Sequence, residues 1–172
     1  MFMIKKINKL KYKNYIFFIP TFLWMMFIFS FSLQPASKSE LLSDGIGEVI
    51  LEHSSTELRE ESDTWSYIEW RTFHRVIRKC GHLAEFFVLG MLMFINLRQT
   101  HVEHKKGIAL ILCAIVASID ETIQLFVPGR AGMIADVMLD CFGSLMGIWI
   151  CAFIIGFILQ KRENHGYQKT IY

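Results

Sequence analysis

Four long apolar runs alternate with polar segments along the chain. The first covers residues 15–33 and contains no charged residue. As a helix it would be about 28 Å long, which is enough to cross a hydrocarbon core of roughly 30 Å. The other runs cover residues 81–97, 108–127 and 133–159, and each contains only a few polar side chains. The pattern predicts an all-α integral membrane protein, a four-helix bundle whose membrane domain extends over residues 15–159.

The polar segment between the first two runs, residues 34–80, predicts amphipathic helices. The stretch "SELLSDGIGEVILEHSS" places aliphatic side chains among acids, which predicts a short helix with a break at Gly45 and Gly47. A second helix is expected to begin at Ser62 or Asp63, either of which can cap it, and to continue through "TWSYIEWRTFHRVIRKC". Tryptophan and arginine prefer the headgroup level of a bilayer. The segment is therefore interpreted either as a lipid-binding surface on the outer leaflet or as a lid over the bundle.

Four polar side chains of this segment carry separate expectations. Arg78 and Lys79 lie just before the second apolar run, so we expect them to contact lipid headgroups. His53 and His74 have no partner at a recognisable spacing. We expect both histidines to be solvated surface residues.

The basic residues lie mainly on one side of the predicted membrane domain. Five lysines precede the first run, and further basic residues lie in the loop 98–107 and after residue 159. Because basic residues favour the cytoplasmic side, residues 1–14 and 160–172 are expected to be cytoplasmic tails. A cleaved signal peptide is the alternative for the first run, but "SLQPAS" is a poor cleavage site. The formal net charge of +2 is too small to suggest a nucleic-acid partner.

Ionisable residues inside the apolar runs are the main functional signal, because a charge at the bilayer centre costs at least ~2.5–3.5 kcal/mol. Two of them, three residues apart, begin the second run and share one helix face. The others lie in "DETIQLFVPGRAGMIAD" and just beyond it, at the end of the third run, in the turn "VPGR", and at the start of the fourth run. Because the spans alternate in direction, all of them are expected within two or three turns of one membrane face. The predicted polar, ligand-binding pocket consists of His82, Glu85, Asp120, Glu121, Gln124, Arg130, Asp136 and Asp140.

The charges of this pocket do not balance. Its five acids outnumber the nearby basic residues Arg78, Lys79 and Arg130. We expect some of the acids to be protonated, or to hold a cation or a cationic group of a ligand. Carboxylates with a histidine suit a divalent metal, but the spacing of His82 and Glu85 is not a dedicated metal motif. The sequence therefore predicts no metal and no other cofactor.

Glycine and cysteine positions complete the pattern. The stripe Gly143-x-x-x-Gly147 is interpreted as a small-residue surface that lets helices pack closely. Three of the four cysteines fall inside predicted spans, where cysteine usually acts as a small apolar residue, so no disulfide framework is predicted.

The pocket residues belong to a longer pattern. "RKCGHLAEFFVLG" followed by "DETIQLFVPGRAGMIADVMLDCFG" resembles the VanZ-like family of bacterial membrane proteins, which is associated with resistance to the glycopeptide antibiotic teicoplanin. "SLQP" at residues 32–35 also resembles the end of the family's first helix, and the resemblance extends from about residue 20 to 158. Asp140 stands where the family usually has Asn, which adds a negative charge that bears on the ligand. The matching positions are Lys79, His82, Glu85, Asp120, Glu121, Gln124, Pro128, Gly129, Arg130, Asp136 and Gly143.

The resemblance implies a multi-pass protein of the bacterial cytoplasmic membrane that contributes to glycopeptide tolerance or to cell-envelope homeostasis. We expect a binding protein whose pocket faces outward and takes a lipid-linked cell-wall precursor or a lipid-tailed antibiotic. Membrane lipids are its other expected partners.

Two alternatives stay open. One is a membrane-embedded enzyme that acts on a lipid headgroup. In it, Glu121 or Asp120 would serve as general base and His82 as general acid, and Arg130 would bind a phosphate of the substrate. No Ser or Cys nucleophile accompanies a base at a recognisable spacing, which favours binding over catalysis. The other is a small proton-coupled transporter, which is disfavoured because the acids gather near one membrane face.

Overall fold

Within residues 18–54 and 67–170, which the computed structural model describes, the chain is all-helical. This confirms the predicted all-α class. The helices of the described part are α1 (Phe18–Ser32), α2 (Ala36–Glu52), α3 (Tyr67–Arg98), α4 (Lys105–Leu125) and α5 (Ile134–Thr170).

Three of these helices are long and apolar enough to cross a membrane. The qualifying stretches are Glu69–Arg98 in α3, Lys105–Leu125 in α4 and Ile134–Lys161 in α5. Helix α1 has 15 residues and meets the same test only together with α2, to which it is joined by a bend of 105°. The number of candidate spans is thus three, or four if this bent pair is counted as one span. The predicted first span begins at residue 15, outside the described residues.

The boundary predicted at residues 80 and 81 does not coincide with any break in the backbone. Residues 67–98 form one helix of 32 residues, about 48 Å long at the ~1.5 Å rise of an α-helix. It exceeds the hydrocarbon thickness of roughly 30 Å, so about one third of α3 extends beyond a membrane of that thickness. The predicted helix start at Ser62 or Asp63 lies outside the described residues.

Helix α2 lies where the sequence predicted a short amphipathic helix, and the predicted break is absent, because the helix continues through Gly45 and Gly47. A Cβ atom added to Gly47 would lie 2.9 Å from Cε1 of Phe73, so this glycine lets α2 pack closely on α3. The opposite face of α2 is apolar and exposed. It consists of Leu41, Leu42, Ile46, Val49 and Ile50.

A contact between a histidine and an aspartate also links α2 to α3. The Nε2 atom of His74 lies 3.0 Å from Oδ1 of Asp44, and the His74 ring stacks on Trp70. The expectation that His74 is a solvated surface residue is therefore wrong, since its side chain lies between two helices. His53, at the end of α2, is exposed as expected.

Helices α3 and α5 form the most extensive helix pair, and glycines line their contact. A Cβ atom on Gly143 would lie 2.6 Å from the backbone oxygen of Leu83. Added Cβ atoms on Gly90 and Gly147 would likewise meet the backbone of the facing helix. The Gly143-x-x-x-Gly147 stripe is thus a close-packing surface, as predicted.

Helix α1 is held against α3 by polar contacts within an otherwise apolar interface. The indole N–H of Trp24 donates to the backbone oxygen of Glu85 at 2.9 Å. Nearer the other end of the bundle, the side-chain amide of Asn96 donates to the hydroxyl of Thr21, and both residues are buried. The same two helices and α4 build an apolar core that includes Ile28, Phe86, Leu89, Cys113 and Val116.

The turn between α4 and α5 has the predicted "VPGR" geometry. Gly129 adopts a left-handed φ of 77°, which glycine reaches without steric cost. The backbone oxygen of Pro128 accepts a hydrogen bond of 3.3 Å from the N–H of Ala36, so the turn contacts the start of α2. Helix α2 and the polar turn are therefore neighbours.

Candidate functional site

The eight residues of the predicted pocket come together at one end of the bundle, and we call them the polar cluster. Helix α3 contributes His82 and Glu85, and α4 contributes three residues of its last turns. Helix α5 contributes two acids of its first turns, and the α4–α5 turn contributes Arg130. The members are His82, Glu85, Asp120, Glu121, Gln124, Arg130, Asp136 and Asp140.

Two aspartates form the buried centre of the polar cluster. Asp120 and Asp140 are both 0% exposed. Together with His82 they place one potential ligand atom each within 4.8 Å of one another. Sequence spacing paired His82 with Glu85 on the same helix, whereas the structure pairs it with acids of two other helices.

A chain of hydrogen bonds fixes Asp120. The amide nitrogen of Gln124 donates to Oδ2 of Asp120 at 2.9 Å and lies 3.5 Å from the hydroxyl oxygen of Ser32. Ser32 is 1% exposed and ends α1, so it brings the first helix to the polar cluster. Ser32 was not among the predicted pocket residues. The available signal was a small polar residue next to "LQP", at the end of an uncharged helix.

Glu121 joins the end of α4 to the start of α5. Its Oε2 atom accepts a hydrogen bond of 2.8 Å from the backbone N–H of Met133, directly before α5 begins. A carboxylate at this place satisfies an unpaired N–H and interacts favourably with the helix dipole. Gly132 makes the approach feasible, because a Cβ atom there would lie 2.5 Å from the backbone oxygen of Glu121. This contact closes the α4–α5 corner.

Asp136 forms an ion pair with a lysine of another helix. The Nζ atom of Lys79 lies 2.7 Å from its Oδ1 atom, and the two side chains are 37% and 16% exposed respectively. The contact joins α3 to the first turn of α5. Lys79, for which we predicted a headgroup contact, thus has an acid of the polar cluster as its ionic partner.

Two arginines lie at the edge of the polar cluster, and we call Arg78 and Arg130 the arginine rim. Both are half-buried, and neither forms an ion pair with an acid in the part of the chain that the structure describes. The Nε atom of Arg130 is buried and has no hydrogen-bond partner among the described residues. Burial lowers the pKa of Arg130, the nearby Arg78 lowers it further, and the carboxylates of Asp120, Glu121 and Glu85 counteract this. Arg130 nevertheless remains cationic at neutral pH, since an arginine does not lose its proton in proteins.

The polar cluster therefore has two chemically different parts. The centre is acidic and enclosed, and several of its carboxylate oxygens have no hydrogen-bond partner among the described residues. The edge carries two cationic guanidinium groups with donors available. The centre suits a cation, and the arginine rim suits an anion such as a phosphate.

A family model described as VanZ/LLP1 matches residues 17–156 of the chain. The match covers α1 to α4, the site and most of α5, so the protein belongs to the VanZ family. With its apolar helices, it is a VanZ-like membrane protein. No curated protein and no solved structure matches the chain.

Proposed function

We propose that this VanZ-family protein contributes to tolerance of teicoplanin-type glycopeptides, or to cell-envelope homeostasis, by binding a lipid-linked or lipid-tailed ligand at the polar cluster. The observation that carries the proposal is the arginine rim. Arg78 and Arg130 are half-buried beside each other and have no acidic partner within the described residues.

An anionic headgroup is the ligand that this rim recognises. A guanidinium presents a planar fork of donors that matches the oxygens of a phosphate, a diphosphate or a carboxylate. A buried donor without a partner costs about 1–3 kcal/mol, and Nε of Arg130 is such a donor. An anion bound between the two arginines recovers this loss and reduces their mutual repulsion.

The lipid tail of the ligand has an adjoining apolar surface. The turn that carries Arg130 contacts Ala36 at the start of α2 through Pro128 and Gly129. The exposed apolar side chains of α2 lie further along the same helix and line a shallow groove. A ligand with its headgroup at the rim and its tail along α2 keeps both parts in favourable surroundings.

In the proposed topology, α1 with residues before it is a fourth span, and both termini are cytoplasmic. The basic loop before α4 and the basic residues near the chain ends support this orientation. The polar cluster lies at the opposite end of α4 from that loop, so it faces the outer leaflet of the bacterial cytoplasmic membrane. Lipid-linked cell-wall precursors and glycopeptide antibiotics are both accessible from that side.

The test is teicoplanin susceptibility of a susceptible Gram-positive host that expresses the native protein or a variant at equal membrane level. Arg130→Ala removes the rim cation, and Arg98→Ala removes an exposed arginine at the other end of α3. We expect the native protein and Arg98→Ala to raise tolerance equally, and Arg130→Ala to lose most of the effect. Equal tolerance with Arg130→Ala would refute ligand binding at the arginine rim, and no tolerance with the native protein would refute the role in glycopeptide tolerance.

A further inference from the structure

The centre of the polar cluster has the composition of a metal site. His82 of α3, Asp120 of α4 and Asp140 of α5 each offer one ligand atom, and these atoms lie within 4.8 Å of one another. Three helices therefore converge on one point with an imidazole and two carboxylates. Each ligand comes from a helix that the other contacts of the cluster hold in place.

Each of the three side chains has at least one buried polar atom without a hydrogen-bond partner among the described residues. Neither oxygen of Asp140 has a hydrogen-bond partner, although the residue is 0% exposed. Oδ1 of Asp120 and Nδ1 of His82 are buried and unpartnered as well. Buried polar atoms are normally satisfied, and each exception calls for a physical reason such as a bound ion. Both aspartates are thus fully buried, keep an acceptor oxygen without a partner among the described residues, and lie beside the point where the three side chains meet.

We propose that His82, Asp120 and Asp140 bind a divalent transition metal ion of the Zn²⁺ or Mn²⁺ type. Its two positive charges balance the two adjacent buried carboxylates. The imidazole argues against Ca²⁺ and Mg²⁺, which take oxygen ligands. Ligand atoms around a tetrahedral Zn²⁺ lie about 3.4 Å apart, given bonds of ~2.0–2.1 Å, so side-chain shifts of about 1 Å close the site.

The surroundings of the three ligands resemble those of known metal sites in one respect. The Gln124 amide that donates to Asp120 is an outer hydrogen-bond partner of the kind that orients a metal-binding carboxylate. Three protein ligands also leave a coordination position open. That position takes an oxygen of water or of an anionic ligand held by the arginine rim.

The metal proposal does not depend on the proposed function, because the acidic centre and the arginine rim use different residues. Arg130→Ala is therefore expected to keep metal binding. A protein that binds metal but confers no tolerance would refute the proposed role in glycopeptide tolerance and leave the metal site in place.

The experiment uses the purified full-length protein in lipid nanodiscs, freed of metal with a chelator. Titration calorimetry measures Zn²⁺ binding, and elemental analysis after desalting measures the bound amount. Electron paramagnetic resonance follows Mn²⁺ binding. We expect one equivalent of metal for the native protein, and a rise in its thermal unfolding temperature when the metal is present.

Two ligand variants and a matched control decide the location of the metal. Asp140→Asn preserves side-chain shape and removes one charge, and His82→Gln removes the imidazole. Each is expected to weaken binding by at least about tenfold, whereas His53→Gln, at an exposed histidine of α2, is expected to bind as the native protein does. If Asp140→Asn does not fold, His82→Gln alone decides. Native affinity in a folded ligand variant, or no saturable binding of Zn²⁺ or Mn²⁺ by the native protein, would overturn the proposal.

Discussion

Replacing Gly143 by alanine tests whether the close approach of α3 and α5 holds the polar cluster together. Gly143 lies one turn after Asp140, and a Cβ atom there would lie 2.6 Å from the backbone oxygen of Leu83, the neighbour of His82. An ordinary van der Waals contact needs about 3.5 Å. The two helix backbones must therefore separate by about 1 Å at the level of the cluster.

The magnitude follows from two opposing terms. Alanine in place of glycine favours a helix by roughly 0.5–1 kcal/mol, whereas overpacking a tight interface costs about 1–3 kcal/mol. Gly156→Ala is the matched control, because Gly156 lies on the same helix with nothing within 4 Å of an added Cβ atom. Both variants share the first term, so Gly143→Ala should be less stable than Gly156→Ala by about 1–3 kcal/mol.

The assay is reversible unfolding of each variant by sodium dodecyl sulfate in mixed micelles, followed by circular dichroism. A second readout is Zn²⁺ affinity in nanodiscs, because a wider α3–α5 distance separates His82 from Asp140. We expect Gly143→Ala to lose both stability and affinity relative to Gly156→Ala. Equal stability of the two variants would show that the facing backbone does not require glycine at residue 143.

Two further predictions concern the turn and the ion pair. Gly129→Ala should lower the free energy of unfolding by about 1–2 kcal/mol, because φ of 77° is left-handed. The control Gly45→Ala, in open space on α2, should be neutral or slightly stabilising, and equal losses of both variants would contradict the prediction. For the Lys79–Asp136 pair, Lys79→Met or Asp136→Asn should each cost roughly 1–2 kcal/mol, since the pair is partly exposed. The double variant should cost less than the sum in an unfolding cycle, and additive losses would show that the pair is not coupled.

The apolar helices and the side of the bundle that carries the polar residues could be predicted from the sequence. Hydropathy and helical periodicity are local properties, and an ionisable residue in an apolar run is expensive wherever the run packs. Because spans alternate in direction, Glu85, Asp120 and Asp136 were expected at one depth, and the structure places them at one end of the bundle.

Helix boundaries outside the apolar runs were harder to predict from the sequence. Residues 67–98 are one helix, although hydropathy changes near residue 80, because an α-helix continues through polar surroundings when its residues have adequate helix propensity. The break expected at Gly45 and Gly47 is absent for a related reason. Packing of Gly47 against Phe73 favours the helix more than the intrinsic preference of glycine opposes it.

Which side chains of the site contact one another could not be predicted from the sequence pattern, because the contacts depend on how the helices pack. Lys79 contacts Asp136, His74 contacts Asp44, and Ser32 lies beside Gln124, and each contact joins residues of different helices. His82 likewise converges with Asp120 and Asp140, which no spacing along one helix indicates. Local composition shows which residues are costly to bury, and the alternation of the spans predicts the depth at which they lie. Which of them meet depends on helix rotation and separation, which the close glycine contacts between α3 and α5 set.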